Sequence, residues 1–247
     1  MANSIYEVIL AIEKARPRAV AVLTGAGVSA ESGIPTFRGA GGLWEGLRPE
    51  ELATPSAFER NPLQIWRWYE WRRNLIRAAL PNEAHRALAA LARISAVQLT
   101  LITQNVDGLH GRAGSDDVVE LHGNLFRARC VREGTVVPAE EAFALLPPRC
   151  GCGSLLRPDV VWFGEALDPQ HLEIAADAVA GAELLLVVGT SGVVQPAAGL
   201  VSLFRGSLSV EVNPVASAIS PLLNFALELP AAQALPLLVH AISRGLK

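Results

Sequence analysis

Several groups of residues in this chain have the types and spacing that chemistry needs. Gly25-Ala26-Gly27-Val28-Ser29-Ala30 matches G-x-G-x-x-G/A, a pattern whose glycines let a pyrophosphate approach the backbone. Asn105 and Asp107, within Thr103-Gln104-Asn105-Val106-Asp107-Gly108-Leu109-His110, set an amide beside a carboxylate, a pair able to grip a carboxamide or a ribose. His122, in Glu120-Leu121-His122-Gly123-Asn124, is the best placed general base, because an imidazole titrates near pH 6.5. Position alone leaves a structural role for it equally open. His85, His171 and His240 read as structural. On the helix spanning 65–76, the apolar stripe Ile65, Trp68, Tyr69 and Ile76 turns Arg72 inward, and a buried guanidinium needs an anion. Tyr69, on the same face one turn earlier, offers a hydroxyl to that anion. An internal carboxylate or an outward path for the side chain would answer the same need. Cys130, Cys150 and Cys152 are too few, and odd in number, for a disulfide framework, and their clustering indicates metal chemistry or its remnant.

These groups need a frame. Apolar, β-branched runs at 19–23, 99–103, 184–188, 208–212 and 225–229 alternate with helix-length segments, the pattern of a parallel sheet with helices on both faces. Helices are expected from Ser4 to Ala15, from Pro62 to Leu80, from the Asn82 cap through Arg93, from Asp168-Pro169 through Ala180, and from Pro236 to Arg244. Four of the five strands end in polar or glycine residues: Thr24-Gly25, Gln104-Asn105, Gly189-Thr190-Ser191 and Asn213. In an open α/β sheet these ends face one ligand crevice. The helix after the glycine pattern is cut short by Gly33, Pro35 and the glycines at 39–42, so the chain from Ile34 onward, carrying Phe37 and Arg38, is expected to lie as a loop over the nucleotide. Residues 34–81 and 127–161 do not fit the sheet pattern and read as a smaller unit, comprising a cofactor loop, a helical module and a zinc-ribbon-like cysteine module. It is inserted into a Rossmann-like domain formed by 1–33, 82–126 and 162–247, with a cleft between the two.

The 247 residues, half of them hydrophobic, are enough for a substantial core. No apolar run approaches the roughly 18 residues that span a bilayer, and charges near the start interrupt any secretory signal, so no membrane association and a cytoplasmic location are expected. A formal net charge of −3 without a basic block argues against nucleic acid as a partner. The oligomeric state is left open.

GAGVSAESGIPTFRG, TQNVDGLH, ELHGN, LRPDVVWFGE and GTSGVVQPA, in this order over nearly the whole chain, resemble the sirtuin family of NAD-dependent protein-lysine deacylases. The resemblance implies an extended NAD site. Its first stretch holds Gly25, Ala26, Gly27, Ser29, Glu31, Thr36, Phe37, Arg38 and Trp44. Gln104, Asn105 and Asp107 follow, then Gly189, Thr190 and Ser191, then Asn213, Pro214 and Val215, with a backbone contact near Ala231. It further implies that His122 is the catalytic base, that NAD is consumed, and that acyl-lysine proteins or peptides are the substrates. Val160-Val161-Trp162-Phe163-Gly164-Glu165 is similar to the segment that pairs with the substrate backbone, a strand-addition mode. Tyr69-x-x-Arg72, together with Thr36, resembles the subclass that removes succinyl, malonyl and glutaryl groups, so an acidic acyl group is expected to be preferred over acetyl. The family's zinc is held by four cysteines. Here the position expected for the second ligand is Glu133, and Cys150-Gly151-Cys152 resembles a shortened second pair, so a lost or weak site is expected unless Glu133 completes it through oxygen. An ADP-ribosyltransferase or NAD glycohydrolase, or a non-catalytic NAD or ADP-ribose sensor, would use the same crevice differently.

Overall fold

The computed structural model describes residues 3–36 and 48–247. The chain runs α1 (Ile5–Ala15), β1 (Ala19–Thr24), a 3-10 helix (Ala26–Ser32), α2 (Pro49–Leu52), α3 (Pro55–Arg60), α4 (Pro62–Ala78), α5 (Glu83–Ala92), β2 (Gln98–Thr103) and α6 (Leu109–Arg112). Next come β3 (Val119–Glu120), β4 (Gly123–Cys130), β5 (Val136–Pro138), β6 (Leu156–Val160), α7 (Pro169–Gly181), β7 (Leu184–Val188), β8 (Leu208–Val212), β9 (Phe225–Leu227) and α8 (Ala231–Gly245). No helix among the described residues is long and apolar enough to cross a membrane.

Six strands pair in the order β3-β2-β1-β7-β8-β9, all parallel. Every residue of β7 is buried, because helices cover both faces. Val8, Leu88 and Leu238, from α1, α5 and α8, pack with Val20 and Leu186 on one face. Val179 of α7, with Leu200 and Val201, packs with Leu23 and Leu185 on the other. The order reverses at β1, which has β2 on one side and β7 on the other, and such a reversal opens a crevice at the carboxyl ends of the strands. A second sheet, β5-β4-β6, is antiparallel. It shares a separate core with α3 and α4, in which Phe58, Ile65, Trp66 and Tyr69 meet Leu125, Cys130, Leu156 and Trp162.

Local signals hold at most helix ends. Asn82 caps α5 by accepting from the Ala84 N–H, and Asp168 caps α7 by accepting from Gln170. The helix expected to start at Pro236 instead starts at Ala231, with Pro236 inside it. A proline there removes one helical hydrogen bond, but the buried stripe Ala234, Leu235, Leu238, Val239 and Ile242 packs against α1 and α5, and this tertiary contact overrides the local preference.

Candidate active site

The glycine pattern forms a short 3-10 helix directly after β1, and Gly33 ends it with φ 82°. Its glycines answer to a neighbour within the chain as well as to any ligand. Gly25 N–H donates to the Val188 carbonyl and Gly27 N–H to the Gly189 carbonyl, and a Cβ on Gly27 would stand 2.7 Å from Gly189 Cα. Gly189 itself has φ 62°, and a Cβ there would stand 2.4 Å from the Val28 nitrogen. The loops after β1 and β7 are therefore pressed backbone to backbone. Gln104 Nε2 donates to Thr190 Oγ1 at 3.2 Å and Asn213 Nδ2 to the Thr190 carbonyl at 3.2 Å, tying the ends of β2, β7 and β8 together.

A cleft of about 690 Å³ opens over these strand ends. Of the residues expected to hold a nucleotide, Gly25, Ala26, Gly27, Thr36, Gln104, Asn105, Gly189, Thr190, Ser191, Asn213, Pro214 and Val215 line it. Phe37, Arg38 and Trp44, with the loop expected to cover the site, lie outside the described residues. Ser29, Glu31, Asp107 and Ala231 do not line the cleft. Glu31 accepts the Ala232 N–H at 2.7 Å, so its carboxylate caps a helix that begins with Pro230 and no side-chain cap of its own. Ala231 is buried at the same helix start.

Ser29 and Asp107 form the layer beneath. Ser29 Oγ donates to Asp107 Oδ2 at 2.7 Å, Asn105 Nδ2 donates to Ser29 Oγ at 3.2 Å, and Leu109 N–H donates to Asp107 Oδ1 at 2.9 Å. His85 joins this network, although its place at a helix start read as structural. Its Nδ1 accepts the Asn82 N–H at 3.2 Å, so the proton sits on Nε2 and points to Ser29 Oγ at 3.3 Å. Burial pushes the Asp107 carboxyl up, against the hydrogen bonds from Leu109 and Ser29 and the Arg72 charge. Burial also pulls His85 down to about 4 and the adjacent His110 to about 3, so both are neutral. Nothing in the local sequence brings residues 29, 85 and 107 together, and only the packing of α5 against the sheet does so.

His122 lines the cleft with its Nδ1 2.9 Å from the Gln104 carbonyl. A carbonyl only accepts, so Nδ1 carries the proton and Nε2 keeps its lone pair. Burial lowers the pKa of this imidazole, with the Gln104 bond opposing, which favours the neutral ring with Nε2 free of a proton.

Tyr69, Arg72, Val160, Val161, Trp162, Phe163, Gly164 and Glu165 line the same cleft from the other core. The inward face of α4 carries two arginines where the stripe predicted one, and Trp66 is buried while Trp68 is only half-buried. Arg73 is consumed internally: Nε donates to the Leu125 carbonyl and Nη1 pairs with Glu70. Arg72 is 6% exposed, and its guanidinium lies 5.0 Å from the Trp68 ring centre and 5.6 Å from that of Tyr69. Desolvation lowers its pKa, while Tyr69 and Asp107 oppose that shift. The Tyr69 hydroxyl accepts from Trp162 Nε1 at 2.9 Å, and burial pushes its pKa up.

Outside the cleft, two hairpin turns carry the cysteines. Cys130 and Cys152 Sγ stand 3.5 Å apart, and Cys150 Sγ is 3.9 Å from Glu133 Oε2. One ligand atom from each of Cys130, Glu133, Cys150 and Cys152 lies within 4.8 Å of all the others. Three thiols and a carboxylate are a donor set that zinc accepts in tetrahedral geometry, so the fourth donor missing from the cysteine count is present in space.

The sheet, the loops at its switch point and the second lobe closing over them place this protein among nucleotide-binding α/β proteins. Residues 25–196 match the Sir2 family. The chain is 50% identical over 236 residues to "NAD-dependent protein deacylase 2" of Pyrobaculum aerophilum, covering 94% of each. It is 51% identical over 230 residues to "NAD-dependent protein deacylase" of Pyrococcus furiosus, covering 90% of this chain and 92% of that one. A solved Sir2 homologue–NAD complex superimposes with a TM-score of 0.91 at 45% identity, covering 100% of this chain and 96% of that one. A Sir2–p53 peptide–NAD+ structure does so at 0.81 and 32%, covering 94% and 96%. The chain belongs to the Sir2 family.

Proposed function

We propose that this protein is an NAD-dependent protein-lysine deacylase that prefers succinyl and malonyl groups over acetyl. The observation that carries the chemistry is the bare Nε2 of His122 in the cleft that Tyr69 and Arg72 line from the opposite lobe. NAD is the co-substrate, as the names of the relatives and the NAD complex of a neighbour support. Its pyrophosphate fits against the loop Gly25-Ala26-Gly27 and its nicotinamide carboxamide near Asn105, which Ser29 and Asp107 hold in place from beneath.

The acyl oxygen of the modified lysine bonds to the ribose carbon that bears nicotinamide, and the C–N bond breaks with its electron pair leaving on nicotinamide. His122 Nε2 then takes the proton of a ribose hydroxyl, and that oxygen adds to the imidate carbon. With one water consumed, the products are lysine, nicotinamide and 2'-O-acyl-ADP-ribose. A neutral imidazole whose other nitrogen is pinned is suited to that proton transfer.

Support for an acidic acyl group comes from a buried guanidinium beside a buried phenol in the cleft wall. Backbone capture of the peptide at 160–165 rests on fewer groups than strand addition implies. The N–H groups of Val161, Trp162, Phe163 and Glu165 donate to His122, Glu165, Ala53 and Trp162 respectively, and the Val160 and Trp162 carbonyls accept from Arg157 and Glu165, so Gly164 N–H and the carbonyls of Val161 and Gly164 are what a substrate strand would use. Zinc, held by Cys130, Cys150, Cys152 and Glu133, would tie the two turns of the cysteine module together.

Incubation with NAD and matched succinyl- and acetyl-lysine peptides, followed by mass spectrometry, tests the proposal. Formation of nicotinamide and succinyl-ADP-ribose in step with peptide consumption is expected. Nicotinamide release without peptide consumption would point to a glycohydrolase or transferase, and NAD binding without turnover to a sensor.

A further inference from the structure

Tyr69 is 2% exposed, and its oxygen accepts from Trp162 Nε1 at 2.9 Å. An indole N–H only donates, so the direction of this bond is fixed and Tyr69 keeps its own proton to give. Among the described residues no acceptor takes that proton. Trp162 is itself clamped. It is 3% exposed, its ring meets that of Phe58 with centres 5.4 Å apart, and the Arg157 guanidinium sits 3.5 Å from its ring centre. Arg157 Nη2 donates to Glu165 Oε2 at 2.8 Å and to the Val160 carbonyl at 2.8 Å, and the same Glu165 oxygen accepts the Trp162 N–H at 2.8 Å. The arrangement runs from a carboxylate, through a guanidinium and an indole, to a phenol in the cleft wall.

We infer that Trp162 is a positioning residue for acyl-group selection: by filling one lone pair of the Tyr69 oxygen, it aims the phenolic proton into the cleft, where the distal carboxylate of an acidic acyl group accepts it. The inference rests on the proposal that Tyr69 and Arg72 receive that carboxylate. It adds a role for a side chain whose segment otherwise read as backbone recognition. Arg157 strengthens the effect, since a cation stacked on the indole face polarises the N–H that Tyr69 accepts, and bonds in such a chain reinforce one another. An acetyl group has no distal acceptor, so it draws nothing from the arrangement.

Trp162→Phe keeps an aromatic ring in the core and deletes the N–H. The succinyl-to-acetyl ratio of kcat/KM is expected to fall by about 2- to 10-fold, the range of one neutral hydrogen bond, mainly through a higher KM for the succinyl peptide. Because Trp162 acts through the phenol, adding Trp162→Phe to Tyr69→Phe is expected to lower the ratio no further. Arg157→Met, which leaves the indole in place, is expected to shift the ratio in the same direction by less, and it serves as the test if Trp162→Phe fails to fold in a thermal melt. An unchanged ratio in whichever of the two folds, or a full additional loss on top of Tyr69→Phe, overturns the role of Trp162. Equal use of succinyl and acetyl peptides by the unsubstituted protein overturns the acidic-acyl proposal beneath it.

Discussion

The cleft has two walls built in opposite ways. On the sheet side, Gly25, Gln104, Gly189, Thr190 and Asn213 stand where parallel strands end, and backbone direction alone delivers them to one crevice. On the lobe side, Tyr69 and Arg72 sit mid-helix and Trp162 follows a strand end, so their meeting depends on how α4 packs against β6. Arg72 and Arg73 make the contrast concrete. They are adjacent on one helix and both are buried, yet Arg73 is spent on Glu70 and the Leu125 carbonyl while Arg72 lines the cleft. Binding geometry on the first wall follows from topology, and on the second from the contacts each side chain happens to find.

The largest expected effect separates the chemistry of the first wall from its binding. His122→Ala should lower kcat for deacylation by roughly 10²- to 10⁴-fold, the usual worth of a positioned base. Exchange of labelled nicotinamide into NAD, which precedes that proton transfer, should fall far less, and equal losses would assign His122 to NAD binding. The second wall is broken by Arg72→Met, expected to cut kcat/KM for a succinyl peptide by about 30-fold or more, since removing one partner of a buried charged pair costs about 2 kcal/mol or above. Loss of the acetyl reaction to the same extent would remove Arg72 from acyl selection.

A pH titration sharpens the comparison from beneath the first wall. His85 and His110 titrate near 6.5 when unfolded but at about 4 and about 3 in the fold. Below pH 6.5 the unfolded chain therefore binds protons that the native chain refuses, and stability falls as pH drops. The slope is about 1.4 kcal/mol per pH unit for each histidine, running down to its folded value. Chemical denaturation between pH 7 and 4.5 measures it, and His110→Asn should flatten it. The smallest effect on turnover is expected from Glu133→Ala, outside both walls. It should release zinc to a chelator more readily than the unsubstituted protein, as metal analysis after dialysis would show, and equal retention would exclude Glu133 as a ligand.

The sheet-side wall was largely legible in the sequence, because apolar runs that end in polar or glycine residues report both the strand and its mouth. His85 was not, since its role comes from Ser29, 56 residues away in sequence, and from a tautomer set by the Asn82 N–H. The partner of Glu31 was hidden for a related reason: it is the backbone of α8, 201 residues on. On α4 the helical period was right, but an inward-facing arginine does not say whether it will find a carboxylate of its own chain. The bond from Trp162 to Tyr69 likewise exists only once β6 and α4 are docked.

The interlock of the loops after β1 and β7 also bears on how the protein is made. The central strand β1 emerges early in synthesis, but its neighbour β7 follows some 160 residues later, and the two loops hold each other's shape. A ribosome-bound chain that lacks β7 and β8 has no partner for Gly27 and no Asn213 to close the strand ends. Such long-range closure slows folding, and it makes nucleotide capture a late event on the nascent chain.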